Sequence, residues 1–278
     1  ELQQGSYGNV TLYAKWTANT YTITYLDTKL ITGTKDAFVY AKGETYVQNV
    51  TYDENYDLIN YERTGYAKTG WFNGDEKFDG GIWNLTNDVT LYVDWQIVTY
   101  YITYVLDGGT NDESNPTTYT VESPTIGLTA PAKTAYSFAG WFTDRDFTNE
   151  ITEIGAGSFG NKTIYAKWTP VVYEIVYELD GGTNDENNPT TYTVKSPTIE
   201  FAAPTRTGYT FNGWYAQKDF SGNNVTELSQ GSYGNVTLYA KWTANTYTIT
   251  YLDTKLITGT KDAFVYAKGE TYVQNVTY

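Results

Sequence analysis

The sequence predicts a mainly β protein of small α+β modules, each with about four strands and little helix, repeated in tandem. Three observations carry this. The stretch GSYGNVTLYAKWTANTYTITYLDTKL occurs at 5–30 and again at 231–256, and residues 1–52 match 227–278 with only Gln3 against Ser229. Tryptophans recur in LYAKW ending at Trp16, LYVDW at Trp95, IYAKW at Trp168 and LYAKW at Trp242, spaced by 79, 73 and 74 residues. Apolar residues alternate with polar ones at period two, the mark of half-buried antiparallel strands, and no segment sustains a 3.6-residue period.

These anchors divide the chain into residues 1–17, the C-terminal part of one module; 18–96, a divergent module; 97–169 and 170–243, two closer copies; and 244–278, the N-terminal part of another. The repetition is expected to continue, so the sequence reads as a window on a longer array. The divergent module contains no proline and carries TKLITGTKDAFVYAKGETYV where the next two carry DGGTNDESNPTTYTVESPTI and DGGTNDENNPTTYTVKSPTI.

Within a copy, the opening strand comes first. In YEIVYELDGG, Tyr173, Ile175, Tyr177 and Leu179 share one face and Glu174 and Glu178 the other, and Tyr100, Ile102, Tyr104 and Leu106 repeat the register. TTYTV at 190–194 and TFNGWYA at 210–216 follow as strands bounded by Pro, Gly and Asn. DFSGNNVTELSQGS from Asp219 is expected to hold one short helical turn. The closing strand places Leu238, Ala240 and Trp242 inward and Tyr239 and Lys241 outward. Each opening strand needs a closing strand, so Tyr247–Leu252 is expected to lack its final partner and to invite pairing with another chain.

RTGYAKTGW ending at Trp71, KTAYSFAGW at Trp141 and RTGYTFNGW at Trp214 form a second anchor, 24 to 28 residues before the closing tryptophans. GYTFNGWY followed by TLYAKW, with an opening strand ending in LDGGT, resembles the Listeria-Bacteroides repeat, also called the internalin B-repeat. The resemblance covers the two closer copies and, more loosely, the divergent one. It implies a β-grasp-like, ubiquitin-like fold arranged end to end on secreted and surface-anchored bacterial proteins, as spacer or adhesive modules. The pattern expects glycine at the turn before the aromatic: Gly65 and Gly208 fit, whereas Ala135 departs and calls a positive φ there into question. Lys241 is matched by Asp94 in the divergent module, which argues against an isopeptide role for that lysine.

Composition narrows the function. The chain has no Cys, His or Met, which removes thiolate chemistry, the commonest general base and the commonest transition-metal ligand. The net charge is −14 with the 18 basic residues scattered singly, which argues against nucleic acid and anionic membranes. No membrane span is expected in the sequence. The loops 107–116 and 180–189 gather oxygen donors such as Asp180, Asn184, Asp185, Glu186 and Asn187, which suit calcium, although their spacing matches no calcium-loop signature and such clusters are ordinary turn chemistry. Asp185 and Glu186 are adjacent carboxylates with no partner acid. We therefore assign no catalytic residue, no cofactor site and no metal site, and expect no enzyme.

The predicted function is a bacterial extracellular fibre, stalk or adhesin shaft attached to the cell surface. Its partners would be neighbouring modules, other copies of the chain in a filament and a host or environmental ligand. The four-residue linkers TPVV (169–172) and TANT (243–246) support it, because connections that short predict a semi-rigid rod. The alternative is an array of carbohydrate- or protein-binding modules using Tyr101, Tyr165 and Tyr239 on the outer face. The tryptophans are expected in cores, and Gly70, Gly140 and Gly213 to permit close backbone approach rather than ligand contact.

Overall fold

The computed structural model describes residues 2–32, 37–258 and 263–278. These residues form strands and turns with no helix, so the protein is mainly β. The chain divides into two compact units: 1–105 with 113–129 and 142–165, and 106–112 with 130–141 and 166–278.

In the first unit, β1 (Thr20–Ile31), β2 (Ala37–Thr51), β3 (Tyr66–Asn73), β4 (Glu76–Phe78) and β5 (Val89–Ile97) form one mixed sheet in the order β2-β1-β5-β3-β4. The opening and closing strands, β1 and β5, lie side by side and parallel, with Ile23 opposite Val89 and Tyr25 opposite Leu91. A parallel pair needs a long connection between its strands, and β2 to β4 supply it. The inward residues Ile23, Tyr25, Val89 and Leu91 meet Trp71 and Trp83 in the core. Asp27 breaks the β1–β2 register with a φ of 51° and accepts the Gly43 amide at 2.7 Å. Aspartate is among the few side chains that tolerate this left-handed corner.

The same parallel pairing recurs between β6 (Tyr100–Val105) and β10 (Lys162–Pro170), with β7 (Thr118–Tyr119) antiparallel to β6. Further strands are β8 (Tyr136–Phe142), which carries the buried Trp141, and the short β9 (Glu150–Ile151).

The second unit contains β11 (Val172–Glu178), β12 (Thr191–Thr193), β13 (Tyr209–Tyr215) and β14 (Val236–Ala244), a four-stranded sheet in the order β12-β11-β14-β13. Here β11 runs parallel to β14, with Ile175 opposite Val236 and Tyr177 opposite Leu238. The expected faces hold: Ile175 is buried and Tyr173 and Tyr177 partly so, while Glu174 and Glu178 are exposed. Burial pushes the Tyr177 phenol up to about 12, and its hydroxyl donates to the Pro189 carbonyl at 2.9 Å. Among the described residues, β15 (Thr246–Ile257) and β16 (Ala263–Thr277) pair only with each other.

Three expectations are corrected. Residues 219–232 hold no helical turn: Glu227–Leu228 pairs as a short strand with Ile199–Glu200, and Phe220 and Gly222 take left-handed conformations that a helix excludes. Ala135 adopts a φ of 64° despite its β-carbon. The chain must reverse there in every copy, and a left-handed alanine costs only about 1–2 kcal/mol. Trp16, expected in a core, is 89% exposed and lies outside any strand, whereas Trp242 faces inward as expected and packs half-buried against its core cluster, with Lys241 beside it half-exposed and its ammonium 5.0 Å from the Tyr215 ring.

Asp144 illustrates how the loops hold themselves. Its carboxylate accepts the amides of Thr148 at 3.0 Å and Asn149 at 2.7 Å, and these bonds hold its pKa near 2. Because the folded value is depressed, its contribution to stability is present above the ordinary carboxylate value and is lost as pH falls through about 2. The amide resonances of Thr148 and Asn149 should therefore titrate with a midpoint near 2. A midpoint at the ordinary carboxylate value would mean that the two bonds are not made in solution.

Candidate functional site: the corner that joins successive repeats

The [RK]-T-[GA]-Y segments before β3, β8 and β13 build one recurring corner. Its cation folds back over the tyrosine three residues later: Arg63 lies 3.6 Å from the Tyr66 ring, Lys133 4.3 Å from Tyr136 and Arg206 3.8 Å from Tyr209. Two of the cations also reach the aspartate that ends the opening strand, Lys133 to Asp107 at 3.4 Å and Arg206 to Asp180 at 2.9 Å. The aspartates are exposed, so each ion pair contributes at most about 1 kcal/mol and each cation–π contact about as much.

The linker is tied to the same corner. Val98 donates its amide to the Gly65 carbonyl at 2.9 Å, Val171 to Ala135 at 3.0 Å and Asn245 to Gly208 at 2.8 Å. Asn245 also accepts the Thr210 hydroxyl at 2.7 Å. The next repeat then covers the turn. A β-carbon at Gly65 would overlap the side chain of Val121, and one at Gly208 would overlap the Tyr278 ring. Tyr66 donates to Glu122, Lys195 approaches the Tyr136 ring to 5.9 Å and Tyr209 packs edge-on against Tyr278 at 5.8 Å. Glycine at these two turns takes a positive φ without strain and, by lacking a β-carbon, leaves room for the following repeat.

The recurring aromatic anchors have structural jobs. Trp214 donates to the Ala202 carbonyl at 3.1 Å and Trp71 to Ile59 at 3.0 Å from inside their cores. Trp168 and Trp242 donate to the carbonyls of Leu106 at 2.8 Å and Leu179 at 2.9 Å, so each closing strand clamps the end of its opening strand. The second glycine of each DGG makes room: a β-carbon at Gly109 or Gly182 would lie 2.6 or 2.7 Å from the indole. Gly213 is similarly close to Asn224, and Gly70 to Lys77, contacts within the protein rather than with a ligand.

The acidic loops are internally committed. Asp185 accepts the Asn187 amide at 2.9 Å, and these bonds lower its pKa. Asn188 and Asn115 are buried and bond residues 202 and 129, respectively. Among the described residues no group of three or more acidic, His or Cys side chains is placed to hold a metal ion. Tyr101 is exposed, whereas Tyr165 and Tyr239 are half-buried, so the three outer tyrosines do not present equal surfaces.

Sequence reasoning missed the cationic members of the corner. Arg63, Lys68, Tyr66, Trp95 and Phe159 line an open cleft of about 510 Å³, where burial lowers the pKa of Lys68 and its ammonium donates to Asn60 at 3.0 Å. The [RK] at a fixed distance from Tyr was visible, but nothing in the spacing said that the two side chains stack.

The chain matches the Listeria-Bacteroides repeat domain over residues 100–167 and 173–241. It is 33% identical over 189 residues to Internalin H of Listeria monocytogenes, covering 59% of this chain and 32% of that protein. Two proteins of Evansella cellulosilytica, provisionally named a membrane protein and a Gly-rich membrane protein, are 28% and 27% identical over 87% of this chain. The chain spans about a third of these relatives or less. No helix of the described residues is long and apolar enough to cross a membrane. With their paired opening and closing strands and both anchors in place, residues 100–167 and 173–241 are two repeats of the Listeria-Bacteroides repeat family.

Proposed function

We propose that this chain is a non-catalytic stretch of an extracellular shaft or adhesin stalk on a bacterial surface, built from β-grasp-like repeats, whose task is to hold distance and orientation. The observation that carries this reading is the recurring corner, where linker amides are bonded to the preceding repeat and turn glycines lie under the following one. A linker with its donors engaged loses the freedom that lets tethered domains tumble. The relatives named as an internalin and as membrane proteins support a surface location.

Limited proteolysis tests it. The linkers 169–172 and 243–246 should survive while loops such as 107–114 and 180–187 are cut, and Asn245→Pro, which removes the donor to Gly208, should expose the 243–246 linker. Rapid cutting of both linkers in the unmodified protein would sink the shaft reading.

The second reading, a multivalent binding array, is favoured by the Arg63–Lys68 cleft, where cations and aromatic faces converge as they do in sites for acidic sugars. Glycan-array binding by the intact chain that disappears in Lys68→Ala would establish it.

A further inference from the structure

The divergent repeat departs from the other two inside its second anchor. GYAKTGW carries Lys68 where AYSFAGW carries Phe138 and GYTFNGW carries Phe211. Those phenylalanines wedge between the two anchor tryptophans of their repeats: Phe138 lies 5.3 Å from Trp141 and 5.8 Å from Trp168, and Phe211 lies 5.3 Å from Trp214 and 5.5 Å from Trp242. In the divergent repeat the wedge is a flexible stem whose ammonium sits 5.3 Å from the Trp71 ring.

Three donors of this repeat lack the acceptors that satisfy their counterparts. Lys133 and Arg206 pair with Asp107 and Asp180, whereas Asp27 is taken by the Gly43 amide. Arg63 therefore lies between the Tyr40 and Tyr66 rings, at 4.2 and 3.6 Å, with no ion pair among the described residues. Trp168 and Trp242 donate to the carbonyls of Leu106 and Leu179, and Trp95 has no such bond among the described residues. Lys68 spends one of its three protons on Asn60 and likewise meets no carboxylate at ion-pair distance.

Two cations without a counter-charge thus share one cleft of about 510 Å³ on a chain of net charge −14. Trp95 and Phe159 wall it, Phe159 being 61% exposed, and Glu62 is the carboxylate in its lining. Volume is not the distinction. The opening beside Arg206 is about 580 Å³, but it is lined by Thr183, Thr205 and Thr207 and its cation is already paired.

We propose that the cleft of the divergent repeat holds the carboxylate of a hexuronic acid residue in an acidic polysaccharide. This rests on the binding reading of that cleft and names its ligand. The guanidinium fork matches a planar carboxylate through two parallel bonds, and the ammonium adds a further charge-assisted one. A sugar ring, unlike a peptide, then turns an apolar C–H face to the two aromatic walls. Glu62 sets the limit on charge, because a single carboxylate is tolerated beside it where a dianion is repelled.

Calorimetric titration of the intact chain with tri-galacturonate, neutral trigalactose and a triglutamate peptide tests the assignment. Tri-galacturonate alone is expected to bind, at one site per chain. Lys68→Phe restores the residue of the other two repeats, so the fold should stand while affinity falls about 10- to 100-fold, the worth of one charge-assisted hydrogen bond. Glu62→Gln should tighten binding. Equal binding of trigalactose, more than one site per chain, or affinity unchanged in Lys68→Phe would overturn the uronate assignment and leave a glycan-binding array standing. Preference for triglutamate would overturn it in favour of acidic peptides. Binding of none of the three would also overturn it, and the wider array reading would then be decided by the glycan array alone.

Discussion

Replacing Trp214 with alanine should destabilise the 170–243 repeat by about 3–5 kcal/mol, the usual cost of emptying a large buried aromatic site. Trp214 is 2% exposed and packs against Phe211 at 5.3 Å and Tyr177 at 5.2 Å, so no neighbouring solvent can fill the void. The indole also anchors the 202 segment through its bond to the Ala202 carbonyl. A repeat of about 70 residues holds only a few kcal/mol in reserve, so this loss should unfold it locally. Hydrogen exchange would show protection lost across β11 to β14. If instead the variant melts like the parent and loses affinity for a sugar, Trp214 is a ligand platform and the shaft reading gives way to the binding array.

Asn188→Ala should cost about 2–3 kcal/mol, because it strands a buried amide. The Asn188 side chain imitates a strand partner: its oxygen accepts the Ala202 amide at 2.8 Å and its nitrogen donates to the Ala202 carbonyl at 3.0 Å. Alanine leaves the Ala202 N–H with no partner of equal geometry. Since Trp214 and Asn188 both act on Ala202, their effects should be non-additive, with the double variant losing less than the sum of the two singles. Denaturant melts of the four proteins measure this coupling. A midpoint for Asn188→Ala within a few tenths of a kcal/mol of the parent would mean that water replaces the side chain and that the loop is looser than its hydrogen bonds imply.

Much of the fold was legible in order along the chain. Alternation in YEIVYELD assigned the buried face of β11 because a pleated strand has a period of two, and the structure buries Ile175 as expected. The GW anchors and the closing motifs ending at Trp95, Trp168 and Trp242 marked strands correctly, whereas LYAKW at 12–16 forms none and leaves Trp16 exposed. Less legible was the depth of each tryptophan. Trp214 and Trp242 sit on adjacent antiparallel strands whose register shifts between Phe211 and Trp214, and a shift of register is invisible in either strand alone. Ala135 misled for a related reason: a local preference against positive φ is worth little beside the bonds that close the corner.

The candidate site was legible only in parts. The sequence displayed RTGY, KTAY and RTGY at fixed distances from tryptophan, and it displayed short linkers, but the parts lie some 35 residues apart. That Val98, Val171 and Asn245 return to bond the turns of those motifs depends on β5, β10 and β14 running back past them.

Sequence by itself determined the repeat, the strand faces, the absence of thiol and imidazole chemistry and the family, because each follows from the order and type of residues along the chain. Only the tertiary structure decided how deeply each copy of a strand is buried here. The sequence from Thr246 to Tyr278 is the same as that from Thr20 to Tyr52, yet Tyr25 is fully buried and Tyr251 is 41% exposed. Burial belongs to a pair of surfaces rather than to a segment, and β5 lies against one copy and not the other.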